Sequence, residues 1–274
     1  RTGGEANSMA IRIARAFTGK SKIAFCGYHG WHDWYLSANI QDSKNLDKQL
    51  LSGLSASGVP KELIYTALPF NDGDLERLEE ILHNGDVAAI KMEVMRSKEP
   101  SVQYLSDIRK LADKYNCLLI FDECTSGFRE TFGGLHLKYG VEPDITILGK
   151  ALGNGYAITS VLGKKDVMSS SQSTFISSTF FTERIGFSAA LASLEEMESI
   201  KSWKIISEKG FNFKERIKHL FDKYKIDINI NGMDALVSYN VNHHDALAIK
   251  TFITQRMLDK KFLAGNLFYP SIAH

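Results

Sequence analysis

The sequence predicts an α/β domain built on a mostly parallel sheet with helices on both faces. Two observations carry this. Short runs that are apolar or nearly so, such as Cys-Leu-Leu-Ile-Phe over 117–121 and Ile-Thr-Ile-Leu over 145–148, alternate with amphipathic stretches across most of the chain. Strands that are apolar on both sides belong to sheets covered on both faces, and crossover helices supply that cover.

In chain order, residues 6–17 have helical spacing, with Met9, Ile11, Ile13, Ala14 and Phe17 available for one broad face. Residues 22–26 read as a buried strand, 74–83 as a helix with Leu75, Leu78 and Ile81 on one side, and 87–94 as a strand. An amphipathic helix over 106–115 precedes the strand 117–121, which runs into Asp122-Glu123. The strand 145–148 ends in Gly149-Lys150, and 158–162 follows as another strand. After about Glu183 the texture changes to two long helices (184–200 and 202–224), two strands (226–230 and 235–241) and a helix over 245–258. The predicted organisation is a large α/β domain over 1–190 and part of a smaller α+β domain over 191–274.

Composition excludes some classes of partner. Lys plus Arg (33) nearly balances Asp plus Glu (32), so charge gives no reason to expect nucleic acid or an anionic membrane. No apolar run approaches the ~20 residues that span a bilayer. Cys26, Cys117 and Cys124 are odd in number and irregular in spacing, which argues for reduced thiols and a cytoplasmic location. The sequence opens on Arg1-Thr2-Gly3-Gly4-Glu5 without an initiator Met and stops abruptly at His274, so an internal piece of a longer protein is expected.

In open α/β sheets ligands sit beyond the carboxyl ends of the strands. That rule singles out Tyr28, Glu93, Asp122 and Lys150. A lysine at the end of an apolar strand is expected to be buried, and burial lowers a lysine pKa and makes it a nucleophile and Schiff-base former. Pyridoxal phosphate (PLP) needs a lysine for its aldehyde and an acid for its ring nitrogen. A structural Lys–Asp ion pair at a sheet end explains the same spacing equally well.

Further motifs surround these residues: Gly3-Gly4-Glu5-Ala6, Gly27-Tyr28-His29-Gly30, Asp122-Glu123-Cys124 with Gly127-Phe128-Arg129, Gly140-Val141-Glu142-Pro143-Asp144, Leu148-Gly149-Lys150 and Ser178-Thr179. In this order the sequence resembles the class III aminotransferases, which are fold-type I PLP enzymes, and is especially similar to the glutamate-1-semialdehyde 2,1-aminomutase branch. The resemblance implies a mostly parallel sheet of the seven-stranded type, flanked by helices. It implies PLP as cofactor, bound to Lys150 as a Schiff base, with Asp122 at the pyridine nitrogen and Tyr28 stacked on one face of the ring. Cys124 stands on the other face where the family usually has Val, a swap of similar size.

By the same resemblance Thr2, Gly3 and Gly4 cradle the phosphate at the start of a helix, where free amides and the dipole favour an anion. The family more often has Ser-Gly-Thr there, so Gly4 loses a hydroxyl and the cradle leans more on backbone amides. Thr179 matches a threonine that reaches the phosphate of the neighbouring subunit's cofactor, which implies a homodimer with shared active sites. Phe180-Phe181 replace small residues. Glu93 matches a glutamate usually followed by Pro, here by Val94. His29 follows the stacking Tyr as a hydrogen-bonding neighbour rather than a base.

The implied activity is transfer of an amino group between an amino donor and a carbonyl compound, or the aminomutase variant of it. The alternatives are a non-catalytic scaffold on the same fold, and another PLP reaction such as decarboxylation or racemisation. His243-His244 read as solvated rather than metal-binding, since no carboxylate or Cys is expected at ligand spacing. The cluster Trp31, His32, Asp33, Trp34 and Tyr35 either lines a substrate pocket or packs the loop after Tyr28.

Overall fold

The computed structural model describes residues 1–95 and 98–274. The first of two compact units comprises Arg1–Val94, Pro100–Gly127 and Gly133–Leu194. It opens with α1 (Gly3–Thr18), followed by β1 (Lys22–Cys26), the single turn α2 (Asp33–Leu36), β2 (Ala67–Pro69), α3 (Leu75–His83) and β3 (Val87–Met92). Then come α4 (Val102–Lys114), β4 (Leu118–Glu123), the short α5 (His136–Tyr139), β5 (Ile145–Leu148), β6 (Ser160–Gly163), the short α6 (Lys165–Ser169) and the start of α7 (Arg184–Ile200).

The sheet order is β2-β1-β3-β4-β5-β6. Neighbours are parallel from β2 to β5, and β6 pairs antiparallel with β5. The sheet has six strands among the described residues. After β6 the Ser-rich chain (Ser169, Ser170, Ser171, Ser173) coils into short helical turns. Strand β2 is a further difference from the sequence reading: it spans three residues and ends on Pro69, too short for a periodic signal.

Helix α1 owes its limits to local chemistry. The Thr2 hydroxyl caps it by accepting from the Glu5 amide, and Gly19, at φ +68°, closes it with an N–H to the Arg15 carbonyl. Ala6, Ala10 and Ala14 recur at four-residue intervals and are fully buried, so the backbone lies close on the core. That core includes Ile23, Phe25, Ala89, Ile120, Ile145 and Ile147 from the strands. Helix α4 starts a turn earlier than its apolar spacing suggested, because Ser101 caps it through the Tyr104 amide.

Asp144, just before β5, fastens three segments. Its carboxylate accepts from the Leu119 amide (2.7 Å), Arg109 Nη1 (2.8 Å) and Lys164 Nζ (2.7 Å). Burial works to raise this carboxyl, but those donors outweigh it and hold it below the usual carboxylate range.

The second unit is built mainly from Glu195–His274, with Phe128–Phe132. It holds the end of α7, then α8 (Ser202–Lys223), the antiparallel sheet β7-β8-β9 (Ile228–Asn231, Val237–Val241, Leu267–Phe268) and α9 (Ala246–Asp259). Gly210 on α8 is required where the turn before β8 approaches: a Cβ would lie 1.6 Å from the Asp234 carbonyl oxygen. Lys214, one turn on, pairs with the Asp234 carboxylate at 2.8 Å. No described helix is long and apolar enough to cross a membrane.

Replacing Asp144 by Ala leaves the Arg109 guanidinium and the Leu119 amide without this acceptor. The expected loss is roughly 3 kcal/mol of stability in urea unfolding, against less than about 1 kcal/mol for an exposed ion-pair residue such as Asp107.

Candidate active site

Parallel strands β1, β3, β4 and β5 carry their carboxyl ends to one edge of the sheet, and the residues of interest follow those ends. Asp122 is the penultimate residue of β4 and is buried. Its Oδ2 lies 2.8 Å from His29 Nδ1, and its Oδ1 accepts from the Cys124 amide at 3.2 Å. The Asn7 side chain, buried on α1, also hydrogen bonds this carboxylate. Lys91 Nζ lies 3.7 Å from Asp122 Oδ2.

Lys91 was not picked out from the sequence, yet it is fully buried as the penultimate residue of β3. Its ammonium has no hydrogen-bond partner among the described residues. Burial pushes its pKa down, and the Asp122 charge opposes that. Burial likewise works to raise the Asp122 carboxyl, but the Lys91 charge and the His29 hydrogen bond outweigh it and hold the group well below the carboxylate range. Asp122 is therefore an anion at neutral pH.

His29 is itself fully buried, and burial, helped by the Lys91 charge, pushes its imidazole down to about 4. A neutral ring has one N–H and here faces two acceptors: Asp122 at 2.8 Å and the Cys26 carbonyl at 3.0 Å. The shorter, charge-assisted contact to Asp122 takes the hydrogen, which assigns it to Nδ1.

Lys150 lies one residue beyond β5, after Gly149, at the start of a short 3-10 turn, with φ +40°. Its side chain is exposed, not buried as expected. Nζ donates to Thr125 Oγ1 at 2.7 Å. Thr125 was also missed, although it lies three residues beyond Asp122. Cys124 Sγ sits 3.4 Å from where a Cβ on Gly3 would be and 3.3 Å from one on Gly149. Cys124 thus lies where the start of α1, the end of β4 and the Lys150 backbone come together. Burial, with the Asp122 charge, raises the Cys124 thiol far above neutrality, so it remains protonated.

Tyr28 is partly exposed and packs edge-on against Tyr35 at 5.8 Å. Its amide donates to Glu93 Oε2 at 3.3 Å. The same oxygen lies 2.7 Å from a Cβ built on Gly27, whose φ is +105°. Glu93 thereby shapes the turn that presents Tyr28. Glu123, fully buried, instead organises the following loop: it accepts from Ser126 Oγ, the Leu135 and His136 amides and His136 Nδ1.

Within this chain the structure brings together Thr2, Gly3, Gly4, Tyr28, His29, Glu93, Asp122, Cys124 and Lys150 at neighbouring strand and helix ends. Thr179 stands apart, exposed on a 3-10 turn (Thr179–Thr182). In the second unit the Asp245 carboxylate lies 2.9 Å from His244 Nε2, so a carboxylate does stand beside the His243-His244 pair, contrary to the sequence reading. All three residues are exposed.

Comparison with known proteins follows the same residues. The family model for class-III aminotransferases matches residues 1–264. The chain is 35% identical over 241 residues to a 3-aminobutyryl-CoA aminotransferase of Cloacimonas acidaminovorans, covering 85% of this chain and 54% of that protein. It is 33% identical over 260 residues to a glutamate-1-semialdehyde 2,1-aminomutase of Saccharolobus islandicus, covering 89% of this chain and 59% of that one. The chain thus spans a little over half the length of these relatives. Among solved structures, the FumI protein of a Sphingopyxis species, in its PLP internal aldimine form, superposes with a TM-score of 0.86 at 19% identity. That match covers 97% of this chain and 63% of that one. An omega-transaminase from Sphaerobacter thermophilus gives 0.82 at 20% identity, covering 98% of this chain and 68% of that one. The architecture is that of the fold-type I PLP enzymes.

The electrostatics can be measured directly. Since the unfolded imidazole titrates near 6.5 and the folded one near 4, the unfolded chain binds more protons between those values. Stability should therefore fall as the pH drops from 6.5 towards 4. In ¹⁵N NMR the His29 ring should stay neutral down to about pH 4.5, and a midpoint above 6 would contradict this account. Lys91→Met removes the nearby cation and should raise the His29 midpoint; no change would mean that Lys91 carries no charge here.

Proposed function

Because this chain belongs to the class-III aminotransferase family, we propose that the full protein moves an amino group between an amino donor and a carbonyl acceptor, using PLP. The residues present fit that cofactor. One edge of the sheet gathers an exposed lysine amine, a buried carboxylate fixed as an anion, and a helix start with two glycines. The buried Asn7 Oδ1 beside Asp122 has no hydrogen-bond partner among the described residues, as expected of a polar pocket lined for a ligand.

When bound, PLP supplies an aldehyde that condenses with amines and a protonated ring nitrogen that draws electrons from the carbon being deprotonated. With PLP bound, Lys150 would hold the aldehyde through its amine; once displaced by an incoming amine, that amine would take a proton from the substrate carbon and deliver it across the intervening nitrogen to the carbon that carried the cofactor's aldehyde, as general base and then acid. Thr125, 2.7 Å away, holds that amine when it is not engaged.

Asp122 keeps the proton on the ring nitrogen, and His29 fixes the carboxylate for that task without acting as a base. Tyr28 covers one face of the ring and Cys124, as a neutral thiol, the other. Thr2, Gly3 and Gly4 take the phosphate; the Thr2 oxygen already accepts from the Glu5 amide, so its contribution is its own O–H. Glu93 acts through the Tyr28 turn. Residues 1–190 form the cofactor-binding domain on this reading, and 191–274 belong to the smaller one.

Thr179 reaches the cofactor of a second copy, so the protein works as a homodimer with shared sites. What supports this is the apolar surface next to it: Phe180, Phe181, Ile185, Phe187 and Leu191 are each about half exposed or more. The setting is cytoplasmic, in keeping with three buried free thiols. An aminomutase would use the same residues and return the amino group to its own carbon skeleton; similarity to the S. islandicus protein supports that second reading.

The observation that carries the proposal is the pairing of Asp122 and Lys150 at the ends of adjacent parallel strands, β4 and β5. In the full-length protein, Lys150→Ala should abolish turnover of every amino donor accepted by the wild type. Asp122→Asn should still bind PLP and lose roughly a hundredfold or more in kcat. Turnover near the wild-type rate in either variant would refute its assigned role.

A further inference from the structure

Gly4, Gly30 and His32 meet beside the first turn of α1. A side chain on Gly4 would strike the edge of the His32 ring, with Cδ2 at 2.8 Å and Nε2 at 3.0 Å from its Cβ. Gly30 has φ +95°, and a Cβ there would lie 2.9 Å from the Gly4 Cα. Gly4 thus leaves the space that the imidazole fills, and Gly30 lets its loop close on the Gly4 backbone. The ring lies along the helix. Its Nδ1 is 3.0 Å from Ser8 Oγ, one turn further on, while its Cδ2–Nε2 edge faces Gly4 at the helix start.

Ser8 Oγ stands 3.0 Å from the Gly4 carbonyl and 3.0 Å from Nδ1. Donating to Nδ1 leaves the neutral ring its hydrogen on Nε2. Donating to the carbonyl instead lets Nδ1–H donate to Ser8 and leaves a neutral ring with no hydrogen on Nε2. An anion at Nε2 selects the first arrangement, in which Nε2 presents the N–H. The Gly3 and Gly4 amides precede the first intrahelical bond, which runs from Ala6 to the Thr2 carbonyl, so helix geometry leaves them free to face an anion.

We infer that His32 Nε2 is a hydrogen-bond donor to the cofactor's phosphate, standing in for the threonine hydroxyl that Gly4 lacks. The inference rests on the PLP reading and deepens it: His32 recognises a phosphate monoester, Gly4 leaves room for its ring, and Gly30 lets the loop that carries it approach the helix start. The cradle then leans on a side chain from the loop after β1, rather than on backbone amides alone. This also gives one member of the aromatic cluster after Tyr28 a part in binding.

The test compares PLP with pyridoxal, which lacks the phosphate, by their dissociation constants for the full-length protein. His32→Ala should weaken PLP about tenfold or more, the worth of one hydrogen bond to a charged group, and leave pyridoxal nearly unchanged. The double variant Gly4→Thr/His32→Ala, with the ring's space vacated for a hydroxyl, should recover most of the PLP affinity. Unchanged PLP affinity in His32→Ala would overturn the inference. So would equal losses for both ligands without recovery in the double variant, since the ring then only packs the loop. A wild type that bound neither ligand would remove the PLP reading itself, and the inference with it.

Discussion

An ionised carboxylate held out of water at the end of β4 is the constraint on which the rest of the site depends. Removing Asp122 from water without compensation would cost several kcal/mol. Compensation comes from four places: the His29 ring after β1, the Cys124 amide in the turn after β4, the Asn7 side chain on α1, and the Lys91 ammonium on β3. No two of these come from one element, so the anion forms only when the strand order and the docking of α1 are right. The fold and the charge state of Asp122 are therefore one problem. The small residues Ala6, Ala10 and Ala14 belong to it, because they let α1 lie close enough for Asn7 to reach the carboxylate.

Much of this was legible in the sequence. The apolar runs located β1, β3, β4 and β5, and the rule that ligands sit beyond strand ends then pointed to Tyr28, Glu93, Asp122 and Lys150. What stayed hidden depends on contacts between distant segments. Lys91 interrupts the apolar stretch Ala88, Ala89, Ile90, Met92, and that interruption was a signal, but only the sheet register places it diagonally across from Asp122. The work of Glu123 in ordering the loop up to His136 is likewise a matter of loop geometry. Burial of Lys150 was wrongly expected because an apolar strand says nothing about how open its end is. Strand β2 is held by pairing with β1, not by a pattern of its own.

Gly4 shows how a departure from a family pattern is to be weighed. From sequence, its loss of a side chain is a loss of one contact. In the structure that space is filled by His32, and Gly30 lets the loop carrying His32 close on the Gly4 backbone. Cys124 behaves similarly: it lies between two glycines, and its environment keeps it a neutral thiol, so its chemistry is that of a small apolar group.

Two lysines approach this site, the exposed Lys150 and the buried Lys91, and the account gives them opposite tasks. The most direct test is to incubate the full-length protein with PLP, reduce with borohydride and map the labelled peptide. Label on Lys150 alone is the predicted result. Label on Lys91, or none in a folded protein, would contradict the assignment on which the mechanism stands.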